Sequence, residues 1–412
     1  DSEDIPIGNY GMSNSGMIKT IYRRGLSKRY GSMMQTIAGI HYNFSFSDKF
    51  FNIILSSGKY ENEKELKNEV YLHVARNFKR FGWLYFFLYG ASPAICDSFV
   101  GKAEHDLDSL PGGGLYKPTS TSLRMGDLGY ISKAQDELNI SYNNLKDYCF
   151  DLENALTTPY KKYQEIGEFT NNDRVQLNTS LIQIENEYYS TIRPKRVCPS
   201  GERPINVLRA KGIDYLELRC VDLDPFSPVG IQREQLDFMD TLLMYCLLNE
   251  SPPIEDKEVE VIKKNHENII NNGRDKNQPI VLRGREDSAI NFAKEILFDL
   301  KKISTIAGEV AFKDTTNNWL ESTNLQIKKL QNLDETLSSK ILNDLLKNNK
   351  SFKEFGLTLA TQHSHHFKVE HDYENKYFKE AAKESITKQK IIESRDEPDF
   401  ETFLKNYFSQ TA

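Results

Sequence analysis

Residues 215–220, "YLELRC", alternate strictly between apolar and polar side chains, and no other stretch restricts the fold as tightly. In extended backbone, successive side chains point to opposite faces. Leu216, Leu218 and Cys220 therefore share one face, while Tyr215, Glu217 and Arg219 share the other. The first is a core face. The second sets a carboxylate beside a guanidinium, a combination that suits a solvated surface with a weak ion pair as well as it suits a site. The stretch then runs into a proline-stopped loop, "DLDPFSP".

Two further stretches carry strand signals. In "GIHYNFSF", Tyr42, Phe44 and Phe46 form an apolar face, with His41, Asn43 and Ser45 opposite. "RVQLNTSLIQIENEYY" predicts a second strand that presents Gln183, Glu185, Glu187 and Tyr189 on its polar face. Helical spacing marks residues 13–39, where Ile18, Ile21 and Leu26 lie near one stripe and Tyr22 stacks against Leu26 at i,i+4, and again residues 59–90 and 131–168. "STIRPKRVCPSGERP" reads as a loop with four positive charges, Arg193, Lys195, Arg196 and Arg203. Beyond about residue 230 the pattern is almost wholly helical. Strands that do not alternate with crossover helices predict an α+β fold with an antiparallel or mixed sheet. Residues 1–230 are expected to form the chemical region, with 231–412 a mainly helical region packed on the same domain.

Composition removes several function classes. A net charge of -6 and a pI of about 5.9 leave no electrostatic footprint for nucleic acid. The most apolar run, "FGWLYFFLYGASPAI", is broken by Gly90 and Pro93 and reads as a buried helix rather than a membrane span. Five scattered cysteines without a C-x-x-C pair suggest reduced thiols in a cytoplasm. The opening "DSEDIPIGNYG" lacks an initiator Met and any helix or strand signal, so a preceding N-terminal segment is expected.

If the three polar strand faces meet, an imidazole, several carboxylates and a guanidinium converge, which suits Mg²⁺ and a phosphate it carries. Taken singly, His41 fits a satisfied half-buried histidine, and Glu185 and Glu187 fit rim charges. Arg23 could reach a phosphate or lie on a solvated basic face. In "TSLRMGDLGY", Arg124 and Tyr130 could clamp an amino-acid carboxylate. "PGGGLYKPTS" fails as a phosphate loop, because Tyr116 and Pro118 flank the Lys where Gly and Ser or Thr are required. The histidines of "HSHHFKVEH" have no carboxylate strand beside them and read as incidental.

Taken together, "YGMSNSGMIKTIYRRGLSKRYGSMMQTIAGIHYNFS", "RFGWLYFFLYGASPAICDSF", "TSLRMGDLGY", "LIQIENEYYSTIRPKR" and "GIDYLELRCVDLDPFSP" resemble the proteobacterial type of glutamate-cysteine ligase, densely from residue 8 to about 250. The resemblance implies ATP-dependent joining of L-glutamate, through its γ-carboxylate, to L-cysteine, by way of a γ-glutamyl phosphate. It also implies a glutamine synthetase-like fold, a curved and mainly antiparallel sheet forming a funnel backed by helices. Position by position, His41 and Glu217 match Mg²⁺ ligands, and Arg23 and Arg219 match arginines that face the ATP phosphates. Tyr22, Leu26, Gln35, Ile37, Asn43, Arg124, Tyr130 and Tyr189 match a cysteine pocket. The family's opening segment supplies further metal-binding carboxylates and has no counterpart here, so this chain alone is expected to be inactive or nearly so. The alternatives are a ligase for another amine and a non-catalytic binding or regulatory protein on the same fold.

Overall fold

The computed structural model describes residues 4–101, 104–129, 134–135, 138–311, 316–368, 372–395 and 397–410. Helix α1 (Asn14–Tyr30) begins where the Ser13 hydroxyl accepts the Gly16 amide, and it ends at Gly31, whose φ of 85° stops the helix. A 3₁₀ turn, Ser32–Thr36, leads into strand β1 (Ile40–Phe44). The helix expected over 59–90 is two, α2 (Glu63–Phe81) and α3 (Trp83–Tyr89), joined at Gly82. Every side chain of α3 is buried, as the apolar run requires. Among the described residues, no helix is long and apolar enough to cross a membrane.

Strands β2 (Ile192–Lys195) and β3 (Tyr215–Val221) complete an antiparallel sheet of order β1-β3-β2. Leu216, Leu218 and Cys220 are buried as their alternation demands, and Tyr42, Phe44 and Phe46 pack against the same core. Helix α2 covers the core face of β2 and β3. Helices α4 (Arg233–Leu248) and α5 (Asp256–Asn272) extend the apolar cluster, which continues through Leu297, Leu300 and Leu337. The final helix, α6 (Phe400–Ser409), returns to α1: Leu404 and Tyr407 pack with Ile18, Ile21, Leu177 and Ile184. The chain's end therefore braces the helix that carries Tyr22 and Arg23.

The α+β expectation holds, with three departures. The strand predicted in 174–189 does not form: residues 185–187 are a 3₁₀ turn, and the neighbouring strand is β2, where the sequence predicts a charged loop. Local side-chain bonds displace the ladder. The Gln183 carboxamide accepts the Leu177 amide, the Asn178 side chain accepts the Ser180 amide and donates to the Gln183 carbonyl, and Glu187 accepts the Gln183 amide. Secondly, among the described residues of 131–168 the helices are Leu145–Thr157 and Lys161–Ile166 only. Thirdly, the helical second half contains a hairpin, Pro279–Leu282 paired with Arg285–Ser288. Its two-residue turn places both Arg283 (φ 52°) and Gly284 (φ 76°) in the left-handed region, and the non-glycine first position concealed it from pattern reading.

Candidate functional site

The polar face of the sheet is organised in cross-strand rows. Asn43, Glu217 and Arg193 are directly opposed across β1, β3 and β2, and Tyr215 opposes Lys195. Between the pairs Ile40 with Val221 and Tyr42 with Leu218, two residues of β3, Arg219 and Cys220, face one residue of β1, His41. This bulge brings Arg219 against His41: Arg219 Nε donates to His41 Nε2 at 3.3 Å, and Nη1 donates to the Tyr188 carbonyl. The imidazole proton is thereby left on Nδ1, which lies 3.5 Å from Glu217 Oε1.

One carboxylate stands among three cations. Glu217 Oε2 is 3.9 Å from Lys195 Nζ, and Arg193 is its direct cross-strand neighbour. Burial would raise the Glu217 carboxyl, yet the His41 hydrogen bond and the charges of Lys195, Arg193 and Arg219 hold it down at about 2. Burial and the Arg193 charge push Lys195 down to about 8 despite Glu217, and the same two causes lower Arg219. Arg193 is buried. Its Nη2 donates to the Glu185 carbonyl at 2.7 Å, while its Nε has no hydrogen-bond partner among the described residues. The local excess of positive charge, with an unused donor inside it, suits a polyanion.

Tyr22 projects from α1 into this field. It is held well above the usual phenol range by burial and by Glu187, with Arg219, Arg193 and Arg23 acting the other way. Arg23 sits 5.5 Å from the Tyr10 ring centroid, and its carbonyl accepts from Gln35 Nε2 at 3.1 Å. Leu26 lies one turn beyond Tyr22, and Ile37 ends the 3₁₀ turn; both are half-buried.

Beside the sheet lies a second corner. Arg124 Nε donates to Asp222 Oδ1 at 2.5 Å, with side-chain exposures of 8% and 1%. Asp222 Oδ2 accepts the Ala91 amide at 2.7 Å. Burial disfavours the guanidinium charge, but Asp222 outweighs it and keeps Arg124 protonated. Arg124 Nη2 is shielded from solvent and has no hydrogen-bond partner among the described residues. A Cβ at position 39 would approach Nη1 to 2.6 Å, so Gly39 leaves the space this side chain occupies. Tyr189, raised well above its usual range by burial, interacts electrostatically with both Arg124 and Arg219 and so links the two corners. Its hydroxyl contacts Met125 Sδ at 3.0 Å.

The structure thus joins His41, Glu217, Arg219, Tyr22, Arg23, Tyr189 and Arg124, with Asn43 in the Glu217 row. Tyr130 lies outside the described residues. Glu185 and Glu187 do not belong to the polar face: Glu187 is buried against Arg29, and Glu185 is 3.5 Å from Arg203. Sequence reading missed the positions of Arg193 and Lys195. The alternation of "IRPK" was the available signal, and Pro194 is tolerated because β2 is an edge strand. It also missed Asp222, for which spacing offers no signal. His363 Nε2 donates to the Pro225 carbonyl at 2.8 Å.

His41 Nδ1 and Glu217 Oε1 are close enough to share one cation in place of the proton now between them. Among the described residues, no group of three or more His, Cys, Asp or Glu side chains could hold a metal ion. The pair fits Mg²⁺ as part of a shell whose remaining oxygens come from phosphates, water or further carboxylates.

The chain matches the family described as Glutamate-cysteine ligase over residues 1–269. It is 40% identical over 413 residues to the glutamate–cysteine ligase of Alcanivorax borkumensis, covering 98% of this chain and 78% of that one. Identity to the glutamate–cysteine ligase of a Janthinobacterium species is 39%, covering 100% and 78%. Among solved structures, the glutamate–cysteine ligase of Francisella tularensis in complex with AMP superposes with a TM-score of 0.90 at 32% identity, over 99% of this chain and 80% of that one. A bifunctional glutathione synthetase from Pasteurella multocida shares the fold at a TM-score of 0.64 and 20% identity, over 84% and 38%.

Proposed function

Since the chain belongs to the glutamate-cysteine ligase family, we propose that it performs that family's reaction: the ATP-dependent ligation of glutamate to cysteine that begins glutathione synthesis. The carrying observation is the crowding of Arg193, Lys195, Arg219 and His41 around the single carboxylate of Glu217. Phosphoryl transfer asks a protein for positioning and for charge placed where charge moves, and this face offers both. Arg219, with Arg23 on α1, faces the ATP phosphates. A glutamate γ-carboxylate oxygen takes the γ-phosphoryl group, ADP leaves, and the cysteine amine then displaces phosphate from the acyl carbon and gives up a proton. The Arg124 corner holds a substrate carboxylate through its unused Nη2, with Tyr22, Leu26, Gln35, Ile37, Asn43 and Tyr189 about the acceptor and Tyr130 assigned there by resemblance.

Mg²⁺ held by His41 and Glu217 would neutralise phosphate charge when bound. Two ligands do not complete a hard-cation shell. Carboxylates beyond these two are therefore part of the proposal, supplied covalently or by a separate chain. Residues 1–230 would carry the chemistry and 231–412 brace it, as α6 braces α1. Buried thiols at Cys149, Cys220 and Cys246 agree with a reducing cytoplasm.

The test is coupled ADP release, by the chain with and without the segment that supplies the further carboxylates, with glutamate, Mg-ATP and a panel of acceptors: cysteine, 2-aminobutyrate, serine and ammonia. Cysteine is expected to give the highest kcat/KM, with Glu217→Gln lowering turnover by roughly 100-fold or more through loss of charge placement. Full turnover by Glu217→Gln, or preference for ammonia, would overturn the assignment.

A further inference from the structure

A cavity of about 330 Å³ shares Tyr189 and Met125 with the Arg124 corner but extends away from the sheet, against α5 and α2. Two basic groups that the reaction does not use line it, Lys79 from α2 and His266 from α5. Lys79 Nζ stacks 4.6 Å from the Tyr142 ring centroid and has no carboxylate within ion-pair distance among the described residues. Its charged end is closely surrounded, and burial pushes it down to about 8, so it still carries its proton at neutral pH. A cation over an aromatic face recovers only part of what an ammonium loses on leaving water. His266 packs edge-on against Phe86 at 5.3 Å, and its Nε2 is shielded from solvent without a hydrogen-bond partner among the described residues. Burial and the nearby Lys79 charge bring its imidazole down to about 4, which leaves it neutral at pH 7.

A buried ammonium lacking a counter-charge and an imidazole nitrogen lacking a partner face one cavity. A carboxylate meets the first deficit by accepting from Lys79. The single N–H of the neutral imidazole is held by the Lys79 carbonyl, which leaves Nε2 an acceptor, so the second deficit is met by a donor such as a ligand ammonium. The lining also includes Asp127, Glu260 and Glu267, with Lys263 the added cation. A simple anion would meet that acidic border unfavourably, whereas a ligand with its own ammonium would not.

We propose that this cavity is a binding site, separate from the reaction centre, for a small zwitterion of the amino-acid class, its carboxylate on Lys79 and its ammonium toward His266 Nε2 and Glu260. The site does not depend on the ligation reading. Binding there would act on the Tyr189 wall that the two sites share.

The experiment is thermal unfolding of the full chain at pH 7, titrated separately with glycine, 4-aminobutyrate, acetate and methylammonium, with ATP and cysteine omitted. Glycine or 4-aminobutyrate is expected to raise the melting temperature saturably, and the two half-ligands are expected to do so far less. Lys79→Met should weaken the response by roughly 30-fold or more, the usual result of removing one partner of a buried charged pair. His266→Gln should weaken it less, and Arg124→Met should leave it unchanged. The idea is overturned if none of the probes gives a saturable rise in the wild type. It is also overturned if the rise survives Lys79→Met, or if Arg124→Met removes it, because the probe would then occupy the substrate corner. Should Lys79→Met fail to fold, the contrast between His266→Gln and Arg124→Met decides the matter.

Discussion

Two buried arginines, Arg29 and Arg124, each pair with a buried carboxylate, and the use of their remaining nitrogens separates a structural knot from a site. Arg29 Nε donates to Gln176 Oε1, Nη1 to the Ser180 carbonyl and Glu187 Oε1, and Nη2 to the Asn178 carbonyl. Its face lies 4.0 Å from the Tyr163 ring centroid. Glu187 is equally committed, accepting from Tyr30 and from the Gln183 amide. At Arg124 the Nε bond to Asp222 fixes the plane of the guanidinium, and Nη2 is left over. A saturated guanidinium holds chain segments together. A pinned one with a spare donor is preorganised for something that arrives later.

The largest expected effect tests the knot. Arg29→Ala should cost about 3–5 kcal/mol in urea unfolding, because it leaves Glu187 buried without a counter-charge and three acceptors unpaired. A loss below about 1 kcal/mol would equate the two arginines and end the contrast.

Next comes a paired replacement at each corner. Arg124→Met with Asp222→Asn removes both charges together, and such neutral exchanges of a buried pair are often tolerated, so unfolding free energy should move by no more than about 1–2 kcal/mol. The kcat/KM for ligation should nevertheless fall by roughly 100-fold or more. The matched exchange Arg29→Met with Glu187→Gln should remain strongly destabilising, since Gln176, Ser180 and Asn178 still lose their donor. Equal stability losses in the two double variants would refute the distinction.

A smaller effect comes from ligand linkage. Cysteine at about 100 times Kd should stabilise the wild-type chain by about 2.7 kcal/mol, whereas the Arg124→Met, Asp222→Asn chain should respond much less. An undiminished thermal shift would place the carboxylate elsewhere.

The smallest is steric. Gly39→Ala should raise KM for an amino-acid substrate several-fold and lower unfolding free energy by about 1 kcal/mol, because its Cβ would crowd Arg124 Nη1 at 2.6 Å. An unchanged KM would mean that the guanidinium relaxes freely and is not pinned.

Much of the sheet and its polar face was legible, for a local reason. Alternation is a property of consecutive residues, so β1 and the two faces of β3 could be read directly, and with them His41, Glu217 and Arg219. Resemblance added Arg23, Arg124 and the tyrosines. The region from 174 to 195 misled, because apolar residues in "LIQIENEYY" are buried in a folded loop stitched by its own side chains, while the actual strand contains a proline. Period-2 patterning cannot see a side chain that satisfies its neighbour's amide.

By itself, the sequence determined which side chains share a strand face, where the buried apolar helix lies, and the family to which the motifs belong, since each depends on residues close together in the chain. Only the tertiary structure decided that Arg193 and Lys195 stand beside Glu217, that Asp222 pins Arg124, and that Glu187 belongs to Arg29 rather than to the site. Those pairings join residues far apart along the chain, and burial converts them from weak surface contacts into obligations: a charge removed from water must find its partner wherever the fold has put it.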